Sequence, residues 1–352
     1  MQVYSRLIDP KDAEQKKAQQ RLLAEAGIRL DPLIDWSIAL YEEDEMLATA
    51  SCFRYTLRSI AVSPERRGIG LMAQLITAVE KEAAKRGLKR LLLISQPTDR
   101  KLFSAVGFTK LVSNSRGVSL MENSASHFQD FLEKLEADLD QLPGVEVGKP
   151  RRAAIVMNAN PFTKGHRYLV ETALKESDQL LVLVLSDDPE EGFTFEQRFA
   201  MVRRGCADLA RVLVAPSGPY AVSTASFPSY FYPPREVDES SLQLNDEAGL
   251  DAALFARIAE YLEIGKRFVG SEPTSGITNF YNQVLSRELS AFSIELRIIE
   301  RLTQNGAAVS ASHLREFLKD KDAAKARAIV PATTWDYLLA HQYFDTESEN
   351  GK

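Results

Sequence analysis

The chain has 352 residues and a formal net charge of −6, with 45% hydrophobic and 26% charged residues; this is length enough for two globular domains, and without a long basic run it is a poor match to a nucleic-acid surface. Only two cysteines occur, Cys52 and Cys206, neither with a Cys or His at metal-ligand spacing, so no structural zinc site is readable and the composition fits a reducing compartment. The N-terminus, Met1-Gln-Val-Tyr-Ser-Arg6, lacks the apolar core of a secretory leader, and the longest apolar runs, such as Leu180–Leu185, are strand-length and too short to span a bilayer. The expectation is a cytoplasmic protein that meets neither nucleic acid nor membrane.

In chain order, strand-like runs at Trp36–Tyr41, Leu47–Tyr55 and Ser59–Val62 precede a long helical pattern, Leu71–Arg86, and a strand at Arg90–Ser95. The segment Ile60-Ala-Val-Ser-Pro-Glu-Arg-Arg-Gly-Ile-Gly-Leu71 puts Gly68 and Gly70 at a strand-to-helix turn, where backbone N–H groups can face a pyrophosphate. A further helix is predicted over His127–Leu139, with apolar positions at Phe128, Phe131, Leu132 and Leu135. Residues Gln141–Pro150 are rich in Pro and Gly, lack periodicity and read as a linker, which sets domains at 1–145 and 151–345.

Beyond the linker, strands and helices alternate: strand Ala153–Met157, helix His166–Lys175, strand Gln179–Ser186, helix Thr194–Cys206, strand Arg211–Ala215. Such alternation, with apolar strands, predicts a parallel sheet covered on both faces. Ser217–Leu242 is rich in Ser, Pro and Tyr, has little period and reads as a functional loop; the tail Thr346–Lys352 reads as a frayed end. The most informative stretch is Asn158-Ala-Asn-Pro-Phe-Thr-Lys-Gly-His166, a tight turn between strand and helix of the kind where parallel α/β proteins hold phosphates. A second piece lies at Val309-Ser-Ala-Ser-His-Leu-Arg315: Ser310 or Ser312 caps a helix running to about Lys321, and the serine hydroxyls, free helix N–H groups and forked Arg315 together make an anion site. Alone, each piece is accounted for by an ordinary capped helix; together they outline a nucleotide site in two parts.

Thr163-Lys-Gly-His166 and Val309-Ser-Ala-Ser-His-Leu-Arg315 resemble the paired T/H-x-G-H and I-S-S/A-S/T-x-x-R elements of the HxGH nucleotidyltransferases. Phe193-Thr-Phe-Glu-Gln-Arg-Phe199, Pro216-Ser-Gly-Pro-Tyr220, Ala225-Ser-Phe-Pro-Ser-Tyr-Phe231 and Gly270-Ser-Glu-Pro-Thr274 with Tyr281-Asn-Gln283 narrow the resemblance to the citrate lyase ligases, through most of residues 151–345. The departures are Thr163 in place of the first His, Val309 in place of Ile, and Tyr232-Pro-Pro234 in the loop. The resemblance implies a Rossmann-like parallel-sheet nucleotidyltransferase domain that activates acetate with ATP and passes the acetyl group to the thiol of a coenzyme-A-like arm on the acyl-carrier subunit of citrate lyase. It implies catalytic roles for His166 and Thr163 at the α-phosphate and for Arg315 at the β- and γ-phosphates. Met157, Asn158, Ala159, Asn160, Gly165, Ser310 and Ser312 are implied around the nucleotide. Mg²⁺ is expected to bridge the phosphates with no protein ligand assigned; Glu272 and Asp187 are candidates that structural roles would equally explain.

In the first half, Arg67, Gly68, Gly70 and Met72, followed by Leu102-Phe-Ser-Ala-Val-Gly-Phe108, resemble two motifs of the GCN5-related N-acetyltransferases, which implies an acetyltransferase-like mixed α/β domain. The position of that family's usual tyrosine acid holds Phe103, so the expectation is a site, with Val62, Arg67, Gly68 and Gly70, that binds the coenzyme-A-like arm rather than acetylating amines. Two other readings stay open on sequence: a nucleotidyltransferase of cofactor biosynthesis acting on a phosphorylated small molecule, and a binding protein with relic sites. Trp36, Trp335 and Cys206 read as core residues, and His127 and His341 as surface or satisfied core residues.

Overall fold

The computed structural model describes residues 3–124, 126–145, 148–232, 241–271, 276–304 and 306–344. The chain divides into two compact units, Met1–His127 and Phe128–Lys352. Both are α/β.

The first unit runs β1 (Val3–Leu7), α1 (Ala13–Glu25), β2 (Trp36–Glu42), β3 (Glu45–Phe53), β4 (Thr56–Val62), α2 (Leu71–Lys85), β5 (Leu92–Ser95), α3 (Arg100–Ala105), β6 (Thr109–Ser113) and β7 (Ser119–Glu122). Its sheet has the order β1-β2-β3-β4-β5-β7-β6, antiparallel except where β4 meets β5. That parallel pairing is confined to Thr56–Leu92 and Leu57–Leu93, so the two strands part company just where β4 runs on to Val62. Alternate side chains go to opposite faces. Ile38 and Leu40 meet Leu75 and Val79 of α2, while Ala39 and Tyr41 meet Leu22 and Leu23 of α1.

The next helix, α4 (Ser126–Asp140), spans the division between the two compact units, which falls inside it at His127/Phe128. Phe128 and Phe131 each sit 4.9 Å from the Tyr220 ring, Gln129 donates to the Tyr261 hydroxyl, and Arg152 reaches Asp140. Its apolar stripe therefore completes the second unit.

The second unit continues β8 (Arg152–Met157), α5 (Lys164–Lys175), β9 (Gln179–Val184), α6 (Phe195–Gly205), β10 (Val212–Pro216), α7 (Pro228–Phe231), α8 (Leu242–Tyr261), β11 (Ile264–Gly270), α9 (Gly276–Ser290) and β12 (Glu295–Ile299). A small hairpin, β13 (Thr303–Gln304) and β14 (Ala307–Ala308), precedes α10 (Ala311–Lys319), α11 (Ala323–Ile329) and α12 (Ala332–Ala340). The sheet is wholly parallel, in the order β10-β9-β8-β11-β12. Ala153, Ile155 and Met157 join α5 and α6 in one core, while the alternating Ala154, Leu181 and Leu183 are buried on the other side, so both faces are covered. The expected loop at Ser217–Leu242 is, as far as Tyr232, a packed segment: Tyr220, Ala221, Ala225 and Phe227 are fully buried. The part of that expectation at residues 233–240, the tail at 346–352 and Glu272 lie outside the described residues.

Candidate active site

The carboxyl ends of β8, β9, β11 and β12 open onto a cleft of about 730 Å³, a size suited to a small ligand. In this strand order the chain starts at β8, builds outward through β9 and β10, then returns to build through β11 and β12. The cleft lies at that reversal, where open α/β sheets place their ligands. All ten nucleotide-site residues named from the sequence line it: Met157, Asn158, Ala159, Asn160, Thr163, Gly165, His166, Ser310, Ser312 and Arg315.

The β8–α5 turn is tightly specified. Thr163 caps α5, and its backbone N–H donates to His166 Nδ1 at 3.0 Å, with the Thr163 hydroxyl 2.9 Å from the same nitrogen. Because Nδ1 accepts from the backbone, the neutral imidazole carries its proton on Nε2. Burial pushes the His166 pKa down to about 4, with the Arg301 charge adding to it, so the ring is neutral at physiological pH. The Phe162 ring stacks on it with centroids 5.8 Å apart, and a Cβ at Gly205 would come within 2.3 Å of that ring, so only glycine at 205 leaves room for Phe162.

The second piece closes on the first. Ser310 caps α10, its hydroxyl accepting from the backbone N–H groups of Ser312 and His313 at 3.1 and 3.3 Å. Arg315 donates to the Asn160 carbonyl at 2.6 Å and to Ser312 Oγ at 3.3 Å. A Cβ on Gly165 would sit 3.0 Å from the Val309 carbonyl, so the absence of a side chain lets the first turn of α5 approach the start of α10. Two helix N-termini and three arginines, Arg267, Arg301 and Arg315, thus line one cleft, with Glu300 and Glu316 also on its wall; the helix starts and arginines favour polyanions.

Several contributions were not foreseen. The Asn160 side chain is committed inward: its amide donates to the Glu191 carbonyl and accepts from Phe193 N–H, so Asn160 offers the cleft its backbone alone. Asn158 Oδ1 is buried and, among the described residues, has no hydrogen-bond partner. Arg198, fully buried, donates to the carbonyls of Asn158, Asp187 and Phe193 and fixes the turn from beneath. A lone arginine on the apolar side of the predicted helix was the available signal. Asp187, a candidate metal ligand, is buried and accepts from the Thr224 N–H at 2.6 Å, a structural employment. Arg267 comes from the middle of β11 and Arg301 from just beyond β12, strands that periodicity did not detect. Arg301 Nε donates to the Ser271 carbonyl at 2.9 Å.

In the first unit, Gly68 and Gly70 both take φ of +83°, and Gly70 caps α2 with no side-chain cap, leaving first-turn N–H groups open. Val62 ends β4, and Arg67 is exposed beside the turn. Phe103 is buried against Phe108 in the core. Both thiols, Cys52 and Cys206, are buried and pushed up to about 12 by desolvation, which makes them poor nucleophiles. Among the described residues no helix is long and apolar enough to cross a membrane.

Fold and cleft together define a mixed-sheet acetyltransferase-like domain followed by a doubly wound parallel α/β domain. The citrate lyase ligase C-terminal domain family matches residues 152–338, and the acetyltransferase (GNAT) family matches residues 2–108. The protein is 31% identical over 334 residues to the citrate (pro-3S)-lyase ligase of Klebsiella pneumoniae, covering 94% of each chain. It is 32% identical over 338 residues to that of Haemophilus influenzae, covering 92% of this chain and 96% of the relative, and 32% identical over 336 residues to that of Escherichia coli K12, covering 93% and 92%. The chain belongs to the citrate lyase ligase family.

Proposed function

We propose that this protein is a cytoplasmic ligase that activates citrate lyase by acetylating the thiol of a coenzyme-A-like prosthetic arm on the lyase's acyl-carrier subunit. In the first step an acetate oxygen attacks the α-phosphorus of ATP and diphosphate leaves, giving acetyl-adenylate. In the second the arm's sulfur attacks the acetyl carbon, the thiol proton is lost and AMP departs. The observation that carries this reading is the convergence, in a member of this family, of the α5 and α10 N-termini with His166, Arg301 and Arg315 on one cleft.

The first step needs no protein nucleophile; it needs positioning and stabilisation of charge on the α-phosphate and the departing diphosphate. The Nε2–H of neutral His166 would donate to the α-phosphate, with Thr163 holding the ring through its backbone N–H and hydroxyl. Ser310, Ser312 and the free N–H groups of α10 would hold the β- and γ-phosphates, with Arg315 fixing the distance between the two helix starts through Asn160 while its remaining donors face the anion. Asn158, Ala159 and Gly165 would pass close to the nucleotide by their backbone. Mg²⁺ would enter as part of the MgATP substrate, bridging the phosphates. In the first unit Val62, Arg67, Gly68 and Gly70 would hold the pyrophosphate of the arm.

ATP–diphosphate exchange tests the first step: exchange that requires acetate supports it. Absence of exchange with every carboxylate, together with diphosphate release from a phosphorylated alcohol substrate, would move the protein to cofactor biosynthesis.

A further inference from the structure

The cleft has a second side that no nucleotide role uses. On β11, Phe268 joins the core shared with α5 and α10, so its neighbour Arg267 projects to the opposite face of the sheet. Arg267 is 1% exposed yet lines the cleft. Its guanidinium lies 4.2 Å over the Phe255 ring, and Nη2 donates to the Tyr281 hydroxyl at 3.2 Å, which in turn donates to the buried Asp251 carboxylate. Among the described residues Nε and Nη1 have no partner. A buried guanidinium with unpaired donors is costly to maintain unless an anion meets it. Val156 and Val269, which alternate onto the same face, line the cleft with Val222 and Leu185.

We propose that Arg267 receives the carboxylate of the substrate acid, with Val156, Val222 and Val269 enclosing its short alkyl group. The inference rests on the acetate-activating reading above and assigns its acid subsite. A single cation among small apolar walls matches a short-chain monocarboxylate. The helix N-termini, Arg301 and Arg315 are left to the phosphates, so the acid and the nucleotide meet from the two sides of the sheet's edge. Arg267 would hold one carboxylate oxygen and leave the other to attack the α-phosphorus. Asp251 acts through Tyr281 as a positioning residue, since it orients the phenol that in turn fixes Nη2.

The test is Arg267→Gln and Arg267→Lys, compared with wild type by acetate-dependent ATP–diphosphate exchange and by direct binding of ¹³C-acetate in the presence of a non-hydrolysable ATP analogue. Loss of a charge-assisted hydrogen bond predicts an acetate KM raised by about 30- to 100-fold for Arg267→Gln, partly restored in Arg267→Lys, with the ATP KM within about 3-fold. A fall in kcat or thermal stability with the acetate KM unmoved would overturn the proposal and leave Arg267 a packing residue. Should Arg267→Gln fail to fold, Arg267→Lys decides alone: a wild-type acetate KM overturns the assignment. Wild-type protein without acetate-dependent exchange would sink the functional reading instead, and the acetate-binding arm then judges the subsite by itself: binding that disappears in Arg267→Gln sustains it, and equal or absent binding removes it.

Discussion

His166 combines a fixed tautomer with a depressed pKa, and both follow from the same contacts. Its Nδ1 is occupied by the Thr163 N–H, and its ring lies against Phe162 beside Arg301. Replacing it with alanine is expected to lower acetate-dependent exchange by about 10²- to 10³-fold with little change in ATP KM, as for a lost transition-state donor. Since the folded pKa of about 4 lies below the ordinary 6.5, the unfolded chain binds a proton between those values that the folded chain does not. The stability this neutral ring supports is therefore complete above pH 6.5 and lost as pH falls towards 4. Melting temperatures at pH 7.5 and 5 should fall further in wild type than in His166→Gln. Gly165→Ala places a methyl 3.0 Å from the Val309 carbonyl and should cost about 1–3 kcal/mol while raising the ATP KM, because α5 and α10 must separate. The sequence disclosed His166, Thr163, Ser310 and Arg315 because they occupy a turn and a cap, local features with local signatures. It hid Arg267 and Arg301, whose place in the cleft comes only from the strands that carry them there.

The elements that were legible are those with contrast. β8 and β9 are short, apolar after a polar first residue and bounded by turn residues; α5 and α10 show polar and buried sides. The run from α8 to β12 escaped notice for the opposite reason. α8 is buried along most of its length, including Glu247 and Asp251, so no single stripe stands out, and β12 is a half-exposed edge strand with charged residues. The Gly- and Pro-rich composition after α4 suggests a linker but does not tell which unit the preceding helix packs on. Removal of residues 1–145 would strip Phe128, Leu132, Leu135 and Leu139 from the second unit, all of them buried. A chain beginning at residue 124 should melt cooperatively and at a higher temperature than one beginning at residue 146, by calorimetry. Equal melting would mean that α4 contributes nothing to the second unit's core.

For the protein as a whole, the two halves of the proposed reaction draw on different units, so they should be separable by mutation. Gly70 adopts φ +83° with nothing within 4 Å of where a Cβ would stand, and valine there strains the α2 cap through its backbone. Gly70→Val should leave acetate-dependent exchange within about 2-fold of wild type and slow acetyl transfer to the carrier arm by about 10-fold or more. Both rates, read on the same preparation, decide whether the acetyltransferase-like unit serves the arm or only the architecture.

The hydrogen bond from Arg315 to the Asn160 carbonyl joins residues 155 positions apart. During synthesis the β8–α5 turn emerges long before its partner, and loop closure over such a distance is entropically late. A nascent chain stopped anywhere short of Arg315 would own only half of the proposed phosphate site and should bind nucleotide poorly. On the proposed reading, tight ATP binding would report that translation has passed Arg315, and ATP added during refolding should act on the final docking of α10 rather than on collapse of the sheet.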